Sequence, residues 1–323
     1  MVRRYLPALL LAAALAPALA GAQAYPARPI RFIVGFVPGG VADLMARSVG
    51  QRLSEAFGQQ VITDNRPSAG GTLSMQITAK AAPDGYTVLL GSSTQFSITP
   101  ALRPNLPYDV TRDYTPITRL ALTPVILTVQ PSFPARSVTE LVQLAKAKPD
   151  QMSYASTGYG GAPHIAAELM KRTAGVAITH VPYKGGGDAV VALLGGQVQM
   201  SFGAVSTSLP HMRGGRMRAL GVTSAKRLTA TPDVPTFAEA GLPGFEVEQW
   251  YGIFAPPALP PAITRKLNAT LATILEAGEF RKDFAAQGVE LVSSTPEALA
   301  AYVKSERARW GKILKELGIQ EQP

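Results

Sequence analysis

The 323-residue sequence contains no cysteine. That excludes disulfides, thiolate metal sites and a lipid-bearing cysteine, so stability must come from an ordinary hydrophobic core. Histidine is scarce as well. The three present, His164, His180 and His211, are too far apart for an HxxxH or HxH zinc pattern, and no metal or cofactor site is expected. GxSxG, GxGxxG and lysine-bearing Walker loops are all missing, which argues against a hydrolase elbow and a nucleotide site, and no enzyme is expected. Charged residues make up 16% and aromatics 7% of the chain, with a net charge of +9. Lys and Arg are scattered rather than gathered on one face, and no aromatic stacking motif accompanies them, so no nucleic-acid partner is expected. No internal repeat, charge block or low-complexity tract interrupts the chain, and beyond residue 24 no run is apolar for long enough to span a bilayer.

What is present begins with a secretion signal. Arg3 and Arg4 precede the apolar run "LPALLLAAALAPALA", and Ala22-Gln23-Ala24 forms a small-x-small cleavage site, so residues 1–24 read as a removable signal and the mature chain as starting at Tyr25. The expected location is the periplasm. Roughly 300 remaining residues exceed the usual single-domain size, so two lobes are expected. Strand-like runs at 30–37, 59–64, 86–90, 125–129, 178–181, 197–203 and 217–223 alternate with segments of helical spacing. In 41–57 the apolar positions Val41, Leu44, Met45, Val49, Leu53, Ala56 and Phe57 are assigned to one helical face. Such alternation predicts an α/β fold with mainly parallel sheets, whose ligands gather at the carboxyl ends of strands. Residues 115–129 read as two extended runs broken at Pro124, and 244–257 as another. One carries the chain out of the first lobe and the other returns it, giving lobe 1 as 25–124 plus 250–323 and lobe 2 as 125–249. A closing amphipathic helix is predicted over 295–318.

Three loops after strands carry the candidate site. In "GFVPGGVADLMAR", Gly39 and Gly40 lead from a strand into a helix, the arrangement that aims free backbone N–H groups and a positive dipole end at an anion; a tight turn with no ligand is the plainer alternative. Asp43 in the first helical turn would repel an anion at close range, so it either braces the loop, the favoured reading, or receives a ligand ammonium group. Phe36 either flanks a ligand's carbon skeleton or ends the strand in the core. In "LLGSSTQFSITP", Ser92, Ser93 and Thr94 offer hydroxyl donors, or else cap a turn. In "YASTGYGGAPHIAAELM", Pro163 stands at a first helical position. The hydroxyls of Ser156 and Thr157, with the amides of Gly158 to Ala162, including Gly160 and Gly161, could enclose one carboxylate through dipoles alone. His164, also placed at this site, lies one helical turn from Glu168, and the two read more simply as a surface pair.

These loops, together with "ITDNRPSAGGTLSMQITAKAAPDGYTVLLGSS", "HVPYKGGGDAVVALLGGQVQMSFG" and "PDVPTFAEAGLPGF", resemble the Bordetella uptake gene (Bug) family, the extracytoplasmic solute-binding proteins of tripartite tricarboxylate transporters. The resemblance runs from "YPARPIRFIVGFVPGG" to the C-terminal helix. It implies a type II periplasmic-binding-protein fold, two α/β lobes joined by crossing strands, closing by a hinge on a small carboxylate: a di- or tricarboxylate, an aromatic acid or an amino acid. It implies membrane permease subunits as partners; a sensor kinase is the alternative reader of the closed form, and a monomer is expected. It also brings Gly203 and Ala204 to the cleft beside the segments 36–40 and 156–164. The sequence departs from the family pattern at Asp64 and Ser68 within "DNRPSAGG", and at Gly160-Gly161, where a hydroxyl residue is more usual.

Overall fold

The computed structural model describes residues 25–103 and 105–319; the secretion signal read over 1–24 lies outside them. Strand β1 (Ile30–Val34) runs parallel to β2 (Val61–Asn65) and β3 (Thr87–Ser92). Next to β3, antiparallel, comes β9 (Glu248–Ala255), then β4 (Thr115–Val129), with β10 (Glu290–Leu291) also on β4. The far end of β4 belongs to a second group. There it pairs antiparallel with β7 (Met200–Ala204) and β8 (Arg218–Val222), and β7 continues in parallel to β5 (Ser153–Ser156) and β6 (Thr179–Pro182). The sheets are therefore mixed rather than mainly parallel: parallel strands sit on the outside, and the antiparallel β4 and β9 lie where the two groups meet.

Pro124 does not break β4. Up to Pro124 the strand pairs with β9, and from Val125 onward with β7 and β8. A residue without an N–H costs a ladder little at the point where the ladder changes partner, so the chain stays extended through it.

Helices cover both groups. The sheet of the first lobe packs α1 (Val41–Phe57) and α8 (Pro261–Glu276) on one face, through Met45, Val49, Leu53, Leu267 and Leu271. On its other face Met75 of α2 (Thr72–Ala79), Phe96 and Trp250 form a separate cluster. Helix α1 buries Val41, Ala42, Met45, Ala46, Val49 and Leu53, whereas Leu44, predicted on that face, is 46% exposed. At 100° per residue Leu44 falls opposite the centre of that stripe. In the second group, α4 (Val138–Ala147) and α5 (Ala162–Ala174) build the core with Val138, Leu141, Ile165 and Met170, and α6 (Gly186–Leu194) packs through Val190 and Leu193.

The last helix, α10 (Pro296–Leu317), spans both cores. Leu299 and Val303 join Trp250 in the first lobe, while Trp310 and Leu314 are buried with Met170 and Phe202 in the second. The sequence reading gave all of 250–323 to lobe 1; the apolar stripe of α10 is long enough to reach past the crossing strands. Along β9, Gln249 and Tyr251 face one side and Glu248 and Trp250 the other, and α10 packs on the Trp250 side, where Tyr302 meets the indole edge-on.

Glu248 lies opposite Pro124, at the crossing. Burial, followed by the carboxylates of Glu246, Glu290 and Glu306, pushes its carboxyl up to about 7 against the pull of Arg309. A folded-state value above the unfolded one means that the protonated form is favoured by folding. This contribution is complete below the unfolded value near 4.5 and is lost as pH rises through about 7. Glu248→Gln is therefore expected to unfold at a higher temperature than wild type at pH 8, with the two curves converging as pH falls toward about 5. Parallel thermal melts across that range check it.

Candidate functional site: a glycine-rimmed cleft

Between the two strand groups lies a cleft of about 630 Å³, a size suited to a small organic ligand. Five helices present their N-termini to it. Gly40 and Val41 open α1; Gly70 and Gly71 precede α2; Gly161 and Pro163 open α5; Gly185 and Gly186 open α6; Ala204 and Thr207 belong to the start of α7 (Val205–Arg213). The caps are Gly40, Gly71, Gly161, Gly185 and Ala204, and none of the five carries a capping side chain of its own; at α2, however, Leu73 N–H donates to Ser68 Oγ at 2.9 Å. Two helices whose starts do not line the cleft differ. Ser137 accepts from Glu140 N–H at α4, and Thr295 from Ala298 N–H at α10. Orphan N–H groups are thus left at the cleft, where the partial positive charge of a helix start favours an anion. Among the described residues no Asp or Glu lines the cleft.

Of the residues predicted for the site, Phe36, Gly40, Thr94, Thr157, Gly158, Gly160, Gly161 and Ala204 line this space. The rest stand behind it. Gly39 donates its N–H to Asp43 Oδ2 at 2.9 Å, so this amide is already committed. Ser92 is fully buried and donates to Gln95 Oε1 (3.1 Å); Gln95 Nε2 donates to Ser74 Oγ (2.9 Å), and Ser74 Oγ to Gly71 O (2.6 Å). Ser93 is also fully buried, its hydroxyl without a partner. Only Thr94 of the hydroxyl run reaches the cleft, because the chain turns into a wide π-type turn over Thr94–Ile98 that folds Ser92 and Ser93 inward. Gly203 is buried in β7 opposite Ile126.

Behind the second-lobe loop, Ser156 Oγ lies 2.7 Å from His180 Nε2. Gly160 N–H donates to Nδ1 of His164 (3.3 Å), which makes that nitrogen an acceptor and the ring neutral. His164 is 3% exposed and lies against the tilted ring of His180 at 4.3 Å between ring centres, with Tyr159 at 4.6 Å. The predicted surface pair with Glu168 is not formed. Glu168 instead accepts from Tyr154 OH (2.7 Å) and Lys171, because the first turn of α5 turns His164 into the loop. Behind the first-lobe loop, Asp43 is buried, as its reading as a brace requires. It accepts from Gly39 N–H, Arg47 Nε and Asn65 Nδ2, and Asn65 also donates to Phe36 O. Burial alone would raise its carboxyl; the bonds from Arg47, Gly39 and Asn65 outweigh burial and hold it below the usual carboxylate range.

Several lining residues escaped sequence reasoning. Pro67 to Gly71 was quoted only for its resemblance, although a glycine pair before a helical run was the available signal. Arg103, Lys184, Gln249 and Tyr251 arrive from distant segments. The cleft is therefore not served by dipoles alone, since two cationic side chains reach it. The lobes also approach each other here. A Cβ on Gly160 would sit 2.9 Å from Leu102, and one on Gly185 would sit 3.4 Å from Val37.

A two-lobed α/β chain with an acid-free cleft between the lobes, rimmed by bare helix starts, defines the class of periplasmic solute-binding proteins. The chain matches the tripartite tricarboxylate transporter family receptor over residues 45–319 and belongs to that family, whose members are binding proteins and not enzymes. It is 38% identical to Protein BugT of Bordetella pertussis, covering 93% of this chain and 92% of that one. Among solved structures, an R. palustris protein with adipate is 34% identical at a TM-score of 0.88, covering 92% of this chain and 99% of that one. MatC from Rhodopseudomonas palustris with bound malate is 33% identical at a TM-score of 0.82, over 90% of this chain and all of that one. Among the described residues no helix is long and apolar enough to cross a membrane.

Two outcomes follow from the supporting shell. Gly160 has φ +72°, and a Cβ there would need only the end of the Leu102 side chain to shift, so Gly160→Ala is expected to cost about 1–2 kcal/mol from the left-handed backbone alone. Gly161→Ala, at φ −80° with nothing nearer than 3.5 Å, should stay within about 0.5 kcal/mol of wild type in thermal unfolding. Burial pushes both His164 and His180 down to about 4, His180 further burdened by its neighbour His164. The stability tied to their neutral forms is complete above the unfolded value near 6.5 and is lost as pH falls through about 4. Melting temperature is expected to fall less steeply from pH 7 to 4 in His180→Gln than in wild type.

Proposed function

We propose that the protein captures a small carboxylate between its lobes and delivers it to the membrane permease subunits of a tripartite tricarboxylate transporter. It would act in the periplasm, after removal of residues 1–24. The lobes divide at 124/125 and at 249/250, apart from the end of α10, and close about β4 and β9 like a hinge. The observation that carries this reading is the set of five helix N-termini whose cap residues are glycine or alanine, four of them without any side-chain cap, around a cleft that no carboxylate of the described residues lines. Such ends attract anions and offer N–H donors in place of water. The relatives solved with adipate and with malate support a carboxylate as the occupant.

Magnitudes divide the work. One helix terminus contributes about 0.3–1 kcal/mol toward an anion, whereas a micromolar dissociation constant corresponds to about 8 kcal/mol. The remainder has to come from hydrogen bonds and from burying the ligand's carbon skeleton, for which Phe36, Val41, Val125 and Tyr251 supply apolar surface. Closure stabilises the complex because a ligand touched by both lobes favours the closed state.

The test is a thermal-shift panel of the mature protein with aliphatic dicarboxylates, tricarboxylates, aromatic acids and amino acids at fixed pH and salt. At least one acid class is expected to raise the melting temperature, since a ligand that binds only the folded form must do so. Thr157→Leu, which crowds the loop of the second lobe, should abolish that shift without lowering the ligand-free melting temperature. A folded, ligand-free protein that responds to no acid would overturn the proposal.

A further inference from the structure

Lys184 lines the cleft without an ion-pair partner among the described residues. It lies just before Gly185, the cap of α6, where the helix dipole disfavours a positive charge. It is exposed, and among the described residues no carboxylate pairs with it; Asp188 in the first turn of the same helix makes no ion pair with it. Arg103, the other cation of the lining, is already engaged within the protein. Lys184 also stands where the lobes approach each other: a Cβ on its neighbour Gly185 would sit 3.4 Å from Val37 of the first lobe. Tyr183 N–H bonds to Ser156 O (3.1 Å), tying this loop to the one that holds Thr157 and Gly158.

From this placement we infer that Lys184 is the residue that makes the site prefer a doubly charged ligand to a singly charged one. The inference rests on the carboxylate reading above. One carboxylate is held deep in the cleft by bare amides, which need no side-chain charge. A space of about 630 Å³ exceeds what one carboxylate fills, so a ligand of several carbons carries its far end toward this approach of the lobes. A second anionic group there meets the ammonium of Lys184 in a partly desolvated setting, with no acid in the lining to compete for it. A ligand without that group leaves Lys184 in water, as it is in the free protein. The residue therefore discriminates by charge count, while skeleton shape is chosen by the apolar walls.

The experiment is titration calorimetry on the mature protein with matched acids: succinate and butyrate, adipate and hexanoate, terephthalate and benzoate. Wild type, Lys184→Gln and Lys184→Arg are compared at one pH and two salt concentrations. In the pair whose skeleton fits, the dianion is expected to bind wild type more tightly, and Lys184→Gln to weaken the dianion about fivefold more than its monoanion. Lys184→Arg should keep the preference, and added salt should erode it in wild type more than in Lys184→Gln. Equal affinity for both members of every binding pair, or equal losses for both in Lys184→Gln, overturns the role of Lys184 and leaves the carboxylate reading standing. A protein that binds no acid of either charge overturns that reading and this inference with it.

Discussion

Backbone N–H groups at a helix start have no partner within the helix, and every feature of this cleft answers to that one deficiency. A strand that runs parallel to its neighbours delivers the chain into a helix whose first turn points back over the carboxyl end of the sheet. Away from the cleft Ser137 and Thr295 satisfy the first turns of α4 and α10, while α8, which starts after Pro260, has no side-chain cap. Around the cleft the caps are glycine or alanine, and the donors stay available. Relative to a serine or threonine the protein gives up a few tenths of a kcal/mol at each glycine cap and about 0.5–2 kcal/mol at Ala204, part of which a bound anion would restore. Ligand and fold are thereby coupled at the level of the backbone.

Bare loops need stiff backing, and both lobes provide it with buried polar groups. In the first lobe Asp43 and Asn65 hold the turn from Phe36 to Gly39, while Gln95 and Ser74 close behind Gly71. Gly71 adopts φ +69°, and a Cβ there would meet Gln95 at 2.7 Å, so the same network that supports the loop also requires glycine in it. In the second lobe the support is two neutral imidazoles in contact, one accepting from Gly160 and one bonded to Ser156. Their low proton affinity and the high one of Glu248 give acid opposite effects in two places. Acid loosens the loop of the second lobe and relieves carboxylate crowding at the crossing.

What the sequence made legible is what the backbone dictates. A glycine pair between an apolar run and a helical stripe reads as a loop over a cleft whichever strands surround it, and Gly40, Gly160 and Gly161 were found that way. Side-chain direction was not legible. Ser92, Ser93 and Thr94 look equivalent in sequence, yet the π-type turn that begins at Thr94 buries two and presents one. Leu44 was assigned to the buried face of α1 and lies on the other. Residues contributed by distant segments were beyond reach for a different reason. Tyr251 and Gln249 line the cleft because β9 inserts between β3 and β4, a strand order that no local pattern encodes.

The crossing strands do not define the hinge by themselves. On the side of β9 opposite Gln249 and Tyr251, α10 fastens its first half to the core around Trp250 and its second half to the core around Phe202. The indole of Trp310 is fully buried and donates to Glu306 on the same helix. Emptying a buried aromatic site of this kind costs about 3–5 kcal/mol, a large share of the roughly 8 kcal/mol that a micromolar ligand supplies. If the lobes close by the proposed hinge, that motion would have to leave Trp310 seated, so that β4, β9 and α10 would flex together and the lobes would rotate about the face where the helix lies.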